Sequence, residues 1–553
     1  MASILKQPSY QNNDSKSGFD LSHRNAFSSS VGQLLPVYCD ELYPGDHVKI
    51  SADMFTRTEP LNKAAFTRVT EHIDYFFVPF TQLYSLFDSF ITSVDDIKSS
   101  LVAKRLVVPV IPCIDGSGLQ GAFNMMSNTQ QGNISLLDEF NVPLTQSAFR
   151  LLDLLGYGTR YRSFYKTSFD GMPYLNPLRL AAYQKIFYDY YRLTDWSEND
   201  TDAYNIDRFY NSYVIDEGGV VCKLLKLHYR PWKKDYFTNV FPAPMANQDM
   251  TNVMPNILGD INQWLQEGEV YPVDPAGNAR VSPATAVVAD NSGNTAALRS
   301  AFAFEKLLEI TRRAGKHYDL QTLAHFGVKP PRRVDGDVFY LGSQSSPIQI
   351  SDVVSTAQTE QGSLGEIGGK GFGNMRGNGI DFKADTHGII MAIYSAVPES
   401  DYVHWGIDRQ NTYVKKYDYF TPELDNIGMQ PMFGYDINFL PVRNAANTDI
   451  KGWQYRFTES KLKQDNAHGK FWTNNNGWMA YRNVENMSAN TADKYYIDPS
   501  YLNPIMEVNF LLPATQENPN PNDESFGTDP LIHDLYFKSY KTSKMSTYGL
   551  PSL

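Results

Sequence analysis

The stretch 362–379, GSLGEIGGKGFGNMRGNG, is the segment most suggestive of chemistry, because a glycine-rich loop carrying a lysine can wrap a phosphate. A nucleotide-binding P-loop needs G-x-x-x-x-G-K-[ST], so that backbone amides cradle the phosphates and a hydroxyl meets magnesium. With Gly369-Lys370 in register, Leu364 occupies the first glycine position and Gly371 the hydroxyl position. Both requirements fail. Gly371-x-Gly373 fares no better, since Arg376 stands where a dinucleotide fingerprint wants its third glycine. The segment therefore reads as a flexible interface loop, with Lys370 and Arg376 placed to face a polyanion.

Histidines and carboxylates cluster at Asp46-His47, Glu71-His72-Asp74, Asp385-His387 and Asp401-His404. None has the His-Glu-x-x-His spacing that puts two imidazoles on one helix face around zinc, so surface ion pairs are the expectation. No serine sits in G-x-S-x-G, the strained elbow of a hydrolase. Two carboxylates about 5–10 Å apart would suffice for a glycosidase, but 61 acidic residues deprive that criterion of force. The reading assigns no catalytic residue, metal ligand or cofactor.

Single-stranded DNA is the better chemical target. Arg150, Arg160, Arg162, Lys166, Arg179, Lys185 and Arg192 face only three aspartates between 150 and 192. Tyr157, Tyr161, Phe164, Tyr165 and Phe169 interleave with them. Cations neutralise phosphates while rings stack on bases. The competing reading, which is the favoured one for this region, buries these rings in the core and pairs the arginines with acidic neighbours. A smaller patch (Lys223, Lys226, Arg230, Lys233, Lys234) and the C-terminal Lys538, Lys541 and Lys544 pose the same choice. The candidate DNA-facing set is Arg150, Arg160, Arg162, Lys166, Lys370, Arg376, Lys541 and Lys544.

The elements that must position these groups are set by a 553-residue chain, 42% hydrophobic and 20% charged, with room for a large core. Its 35 Tyr and 32 Phe suit strands and interfaces, where a rigid ring buries much area at little entropic cost. The formal charge of -12 argues against a protein that coats nucleic acid over its whole surface. Cys39, Cys113 and Cys222 are far apart, with no metal or disulfide spacing, as in a reducing compartment. The N-terminus lacks the apolar run of an export signal, and no apolar run is long enough to span a bilayer. The chain is expected to be made in the cytosol, without membrane insertion.

Residues 1–30, rich in Ser and Asn, read as a flexible arm. Strand-like segments lie within 45–80 and at 213–228, 336–350, 386–397, 412–420 and 505–512. GIIMAIYSAV, Gly388 to Val397, is apolar on both faces and should be a central buried strand. Leu180, Tyr183, Phe187, Tyr190 and Tyr191 fall at helical spacing, and a second helix is expected over 295–313. Strands scattered among long insertions fit one β-sandwich with enlarged loops. A jelly roll best accommodates that pattern. Residues 31–553 are read as that single domain, with 81–212 and 229–335 the most insertion-like parts.

Several blocks, in order, carry a resemblance. LLPVYCDELYPGD (34–46) and YFFVPF (75–80) open the series. NPLRLAAYQKIFYDYYR (176–192) and KKDYFTNVFPAPM (233–245) follow. The most specific block is LRSAFAFEKLLEITRRAGKHYDLQTLAHFGVKPP (298–331), and FYLGSQSSPIQISDVVSTAQT (339–359), HGIIMAIYS (387–395) and STYGLPSL (546–553) complete it. Together they resemble the major capsid protein family of small single-stranded DNA bacteriophages, the microviruses, closest to its gokushovirus-like and Bacteroidetes-associated branches. Tyr188 stands where that family usually has Asn, and Met245 where it has Gln. Residues 197–294 depart most from the pattern.

The resemblance implies an eight-stranded antiparallel jelly roll with long loop and helical insertions. It implies self-assembly, through pentamers, into a T=1 icosahedral shell around circular single-stranded DNA, put together in the bacterial host cytoplasm. Implied partners are further copies of the chain, the genome, spike or pilot minor proteins and a host surface receptor. The acidity of the chain adds a small basic packaging protein. The rival class is a secreted carbohydrate-binding or glycan-cleaving β-sandwich, which should carry an export signal.

Overall fold

The computed structural model describes residues 16–92, 110–128, 134–158, 171–209, 213–242, 306–307, 310–311, 318–328, 336–354, 367–403, 406–438, 449–482, 495–506, 529–545 and 547, apart from positions 62, 64, 378, 426, 427, 474 and 475. Ten strands build one antiparallel sheet: β1 (Ser17–Asp20), β2 (His23–Ser29), β3 (Leu35–Leu42), β4 (His47–Thr58), β5 (Val69–Pro79), β6 (Phe339–Val354), β7 (Ile367–Met375), β8 (Ile380–Lys383), β9 (Gly388–Pro398) and β10 (Leu531–Ser543). The main path runs β1-β10-β4-β7-β6-β5-β9-β3, with β8 beside β4 and β2 beside β10.

The path folds back on itself. At its far end β3 meets the layer in which it began: the Tyr38 hydroxyl lies 2.9 Å from Ser539 Oγ, and Asn25 Nδ2 donates to the Val37 carbonyl at 2.9 Å. Gln344 on β6 ties the layers midway, accepting from Tyr75 O–H at 2.6 Å and from Ala52 N–H at 3.0 Å. One layer is therefore β10, β4, β7 and β8 with β1 and β2 along its edge. The other is β6, β5, β9 and β3. This is a jelly roll, mainly β, and a buried apolar cluster runs through it from Val31 to Phe537.

The two layers differ as their sequences require. Every residue of β9 except Val397 is buried, as is most of β5, because helices cover their outer side. Leu178–Ile186 (α3) is buried all round, and Tyr183 O–H donates to the Leu34 carbonyl at 2.9 Å. Gly218–Leu224 (α4) packs beside it, Gly116–Met126 (α1) packs on α4, Leu144–Leu154 (α2) packs on α1, and Tyr318–Phe326 (α5) is a further helix. By contrast, β4 and β10 alternate buried and exposed residues, so one face of that layer meets solvent.

Some expectations are corrected. Residues 17–29 are two strands paired along β10, not part of a flexible arm; alternating side chains and a free strand edge outweigh their polar composition. Residues 1–15 lie outside the described residues. Of the strand expected over 213–228 only Val214–Ile215 forms, paired with Cys113–Ile114; Gly218–Leu224 is α4, packed on α1, whose Gly121 backbone comes within 3 Å of where a side chain on Gly218 would begin. Residues 412–420 form 3-10 turns with Val414, Tyr417, Tyr419 and Phe420 exposed. The Gly-rich segment is no loop over Ile367–Met375, where it is β7. The expected 505–512 strand lies outside the described residues beyond 506, as does most of the 295–313 helix.

Candidate nucleic-acid and assembly surfaces

Glycine lets β7 sit where it does. Gly369, Gly371 and Gly373 point inward along the strand. A Cβ on Gly371 would lie 2.5 Å from Thr58 Cγ2, and one on Gly373 would lie 2.5 Å from Glu71 Oε2. Their absent side chains make room for a buried polar cluster. Glu71 Oε1 accepts from Thr56 O–H at 2.6 Å and from Tyr394 O–H at 2.9 Å, with His533 Nδ1 3.4 Å away. His533 Nε2 lies 2.8 Å from Ser29 Oγ.

Ser29, His533 and Glu71 thus line up in the order of a hydrolytic triad, from β2, β10 and β5. Serine and glutamate are 0% exposed and the histidine 2%, so no substrate carbonyl reaches the hydroxyl. The line is a core network. The expectation of surface ion pairs is corrected here, because Glu71 joins this network and Asp74, also buried, accepts from Arg230 at 2.8 Å and from Tyr191 at 2.7 Å. Their partners come from distant strands, which local spacing does not reveal.

The candidate DNA-facing residues are dispersed. Arg150 on α2 is committed to Asp529 and donates to Gln33 Oε1 at 2.6 Å, with 17% of its side chain exposed. Lys541 is buried: Nζ donates to the Glu41 carbonyl at 2.6 Å and lies 3.4 Å from Asp40 and 3.5 Å from Asp46. Both are structural cations, which corrects their place in the set, since each charge is already matched inside the protein. Arg160, Arg162 and Lys166 lie outside the described residues. Lys370, Arg376 and Lys544 are exposed.

A site that the motifs did not point to lies on the solvent face of the β10–β4–β7 layer. Ile532, Tyr536 and Tyr540 of β10, Phe55 and Arg57 of β4, and Lys370 and Phe372 of β7 all point outward. Arg57 stands between Ile532 and Phe372 in register, its guanidinium carbon 5.2 Å from the Phe55 ring centre. The period-two alternation of MFTRT and LIHDLYFKSYK was the available signal.

A separate polar cavity of about 130 Å³ is lined by Tyr236, Arg409, Asp436 and Glu459 among others. Asp436 Oδ2 accepts from Phe433 N–H at 2.9 Å, while Oδ1 is buried without a hydrogen-bond partner. Burial pushes its carboxyl up to about 6, against the Phe433 N–H and the Arg409 guanidinium, which pull it down.

A rolled sheet with one bare face and exposed apolar turns is the anatomy of a protein that acts through surfaces. The family model described as "Capsid protein (F protein)" matches residues 10–129 and 165–551. The chain belongs to that family. Similarity extends along nearly its whole length to capsid protein VP1 of Chlamydia phage 1, 22% identical with 97% of this chain and 96% of the relative covered. Capsid protein VP1 of Bdellovibrio phage phiMH2K is 23% identical, with 96% and 95% covered. For capsid protein VP1 of Spiroplasma virus 4 the identity is 22%, with 82% of each chain covered. Membership covers the sheet and the insertions together, so the bare face and the exposed turns belong to a capsid subunit. Among the described residues no helix is long and apolar enough to cross a membrane.

Proposed function

We propose that this chain is the major capsid protein of a small bacteriophage, assembling with its own copies, through pentamers, into a T=1 icosahedral shell around circular single-stranded DNA. The observation that carries this reading is the capsid family match across both the rolled sheet and its insertions. Exposed apolar side chains support it: Val414 is 84% exposed, Tyr417 67%, Tyr419 59% and Phe420 58%. Such a cluster is expensive on a lone soluble monomer and is what a subunit interface covers. Closed symmetry then ends growth at a finite particle.

The role is structural, not catalytic, with the Ser29–His533–Glu71 line sealed in the core. A chain of net charge -12 neutralises little of a genome's phosphate, so a small basic packaging protein shares the interior. Spike or pilot minor proteins and a host surface receptor complete the partners, and the mature location is the virion. The test is negative-stain electron microscopy and sedimentation velocity on the purified full chain. Shells or pentamers are expected. Monodisperse monomers at every concentration would overturn the reading.

A further inference from the structure

The solvent face of the β10–β4–β7 layer has an uneven charge balance. Three of its aspartates are already matched, and a fourth, Asp20 beside Tyr540, bonds only to Ser22 among the described residues. Asp534 takes Arg24 at 2.6 Å, Asp53 takes Lys538 at 2.5 Å, and Asp381 takes Lys49 at 3.1 Å. Arg57 and Lys370 form no ion pair with any described residue, so the face carries a local positive excess in an acidic chain.

Rings stand among those cations. Phe55 and Phe372 are each 40% exposed, Tyr536 44% and Tyr540 52%. Phe372 pairs in register with Arg57, which puts Phe55 one diagonal away on the neighbouring strand. Diagonal neighbours on a sheet are about 7–8 Å apart, roughly two rises of a stacked nucleic acid strand at 3.4 Å each. A flexible single strand can therefore lay bases on both rings while its phosphates meet Arg57 and Lys370. A protein partner fits less well, because interface cores are depleted in lysine and a bare Lys370 would be desolvated without a counter-charge.

We infer that this face is a stacking platform for single-stranded DNA, with Phe55, Phe372 and Tyr536 holding bases and Arg57 and Lys370 holding phosphates. The inference rests on the capsid reading and names the surface that meets the genome. It moves the DNA contact from the helical region 150–192, where Arg150 is internally paired, to the sheet.

The test is fluorescence anisotropy of a labelled deoxythymidine oligonucleotide with the full chain, across a salt series. Variants are Phe55→Ala with Phe372→Ala, and Arg57→Ser with Lys370→Ser. All four side chains are solvent-facing, and circular dichroism checks that each variant folds. Losing two rings should weaken binding by roughly ten-fold or more at unchanged salt slope. Losing two cations should flatten the slope of log affinity against log salt by about 1.4. Wild-type affinity and slope in both variants would overturn the platform. So would variants that bind DNA normally but no longer assemble in electron micrographs, since the face would then be a subunit interface. Wild-type shells with unaltered DNA binding in the variants would sink the platform alone. A wild-type chain that never assembles would sink the capsid reading.

Discussion

Glu71 on β5 and His533 on β10 meet inside the roll, Oε1 3.4 Å from Nδ1, with both side chains withdrawn from solvent. The pair joins a strand near the start of the chain to the last strand of the sheet, so its geometry depends on the layers having closed. Removing Glu71 takes away the acceptor shared by the Thr56 and Tyr394 hydroxyls and leaves the buried Tyr394 hydroxyl without it. Glu71→Ala is expected to cost about 1–3 kcal/mol in urea unfolding. Replacing both Glu71 and His533 by leucine should recover part of that loss, and a double variant as unstable as the worse single one would count against the pairing.

Gly373 offers a steric test of how β7 is seated. Gly373→Ala puts a methyl 2.5 Å from Glu71 Oε2 and should lower stability by about 1–3 kcal/mol. Gly368→Ala meets only backbone oxygens at 3.6 Å and beyond, so thermal unfolding should show it neutral or slightly stabilised.

Asp436 links stability to pH. Its folded carboxyl is raised to about 6 from 3.8, first by burial, so the folded state holds the proton more tightly than the unfolded chain. Stability is then greatest below about pH 4, falls as pH rises towards 6, and stays lower above it. The full span is on the order of 2–3 kcal/mol, tempered by residual solvent contact. Asp436→Asn should flatten the dependence of unfolding free energy on pH between 4 and 7, measured by chemical denaturation. An unchanged profile would show that another group carries it.

Lys541 separates a structural cation from a DNA contact. Its ammonium lies among the Glu41 carbonyl, Asp40 and Asp46. Lys541→Met should destabilise the fold by roughly 3–5 kcal/mol, because Asp46 is left buried without its cation. DNA affinity per folded molecule should hold, as anisotropy corrected for folded fraction will show. A selective loss of binding in a stable variant would restore the residue to the DNA-facing set.

What was legible in the residues was whatever depends on local pattern. GIIMAIYSAV announced a strand covered on both sides, and β9 is that strand. The stripe from Leu180 to Tyr191 announced a helix, and α3 with its continuing π-turn provides it. Ordered blocks from LLPVYCDELYPGD to STYGLPSL announced the capsid family, which the family match bears out. The alternation within Leu531–Ser543 was equally visible, but its lysines read as a basic patch and not as one side of a strand.

Tertiary structure decided the rest, because those outcomes turn on contacts between residues hundreds of positions apart. A glycine run has no side-chain periodicity, so only the cluster of Thr58, Glu71 and Thr56 behind Gly371 and Gly373 makes β7 a strand. Whether a lysine is a free charge depends on what folds against it: Lys541 is claimed by Asp40 and Asp46, while Lys370 stays bare on the sheet. Sequence alone determined the elements and the kinship. Closure of the layers determined which charges remain available, since neutralisation acts through space and not along the chain.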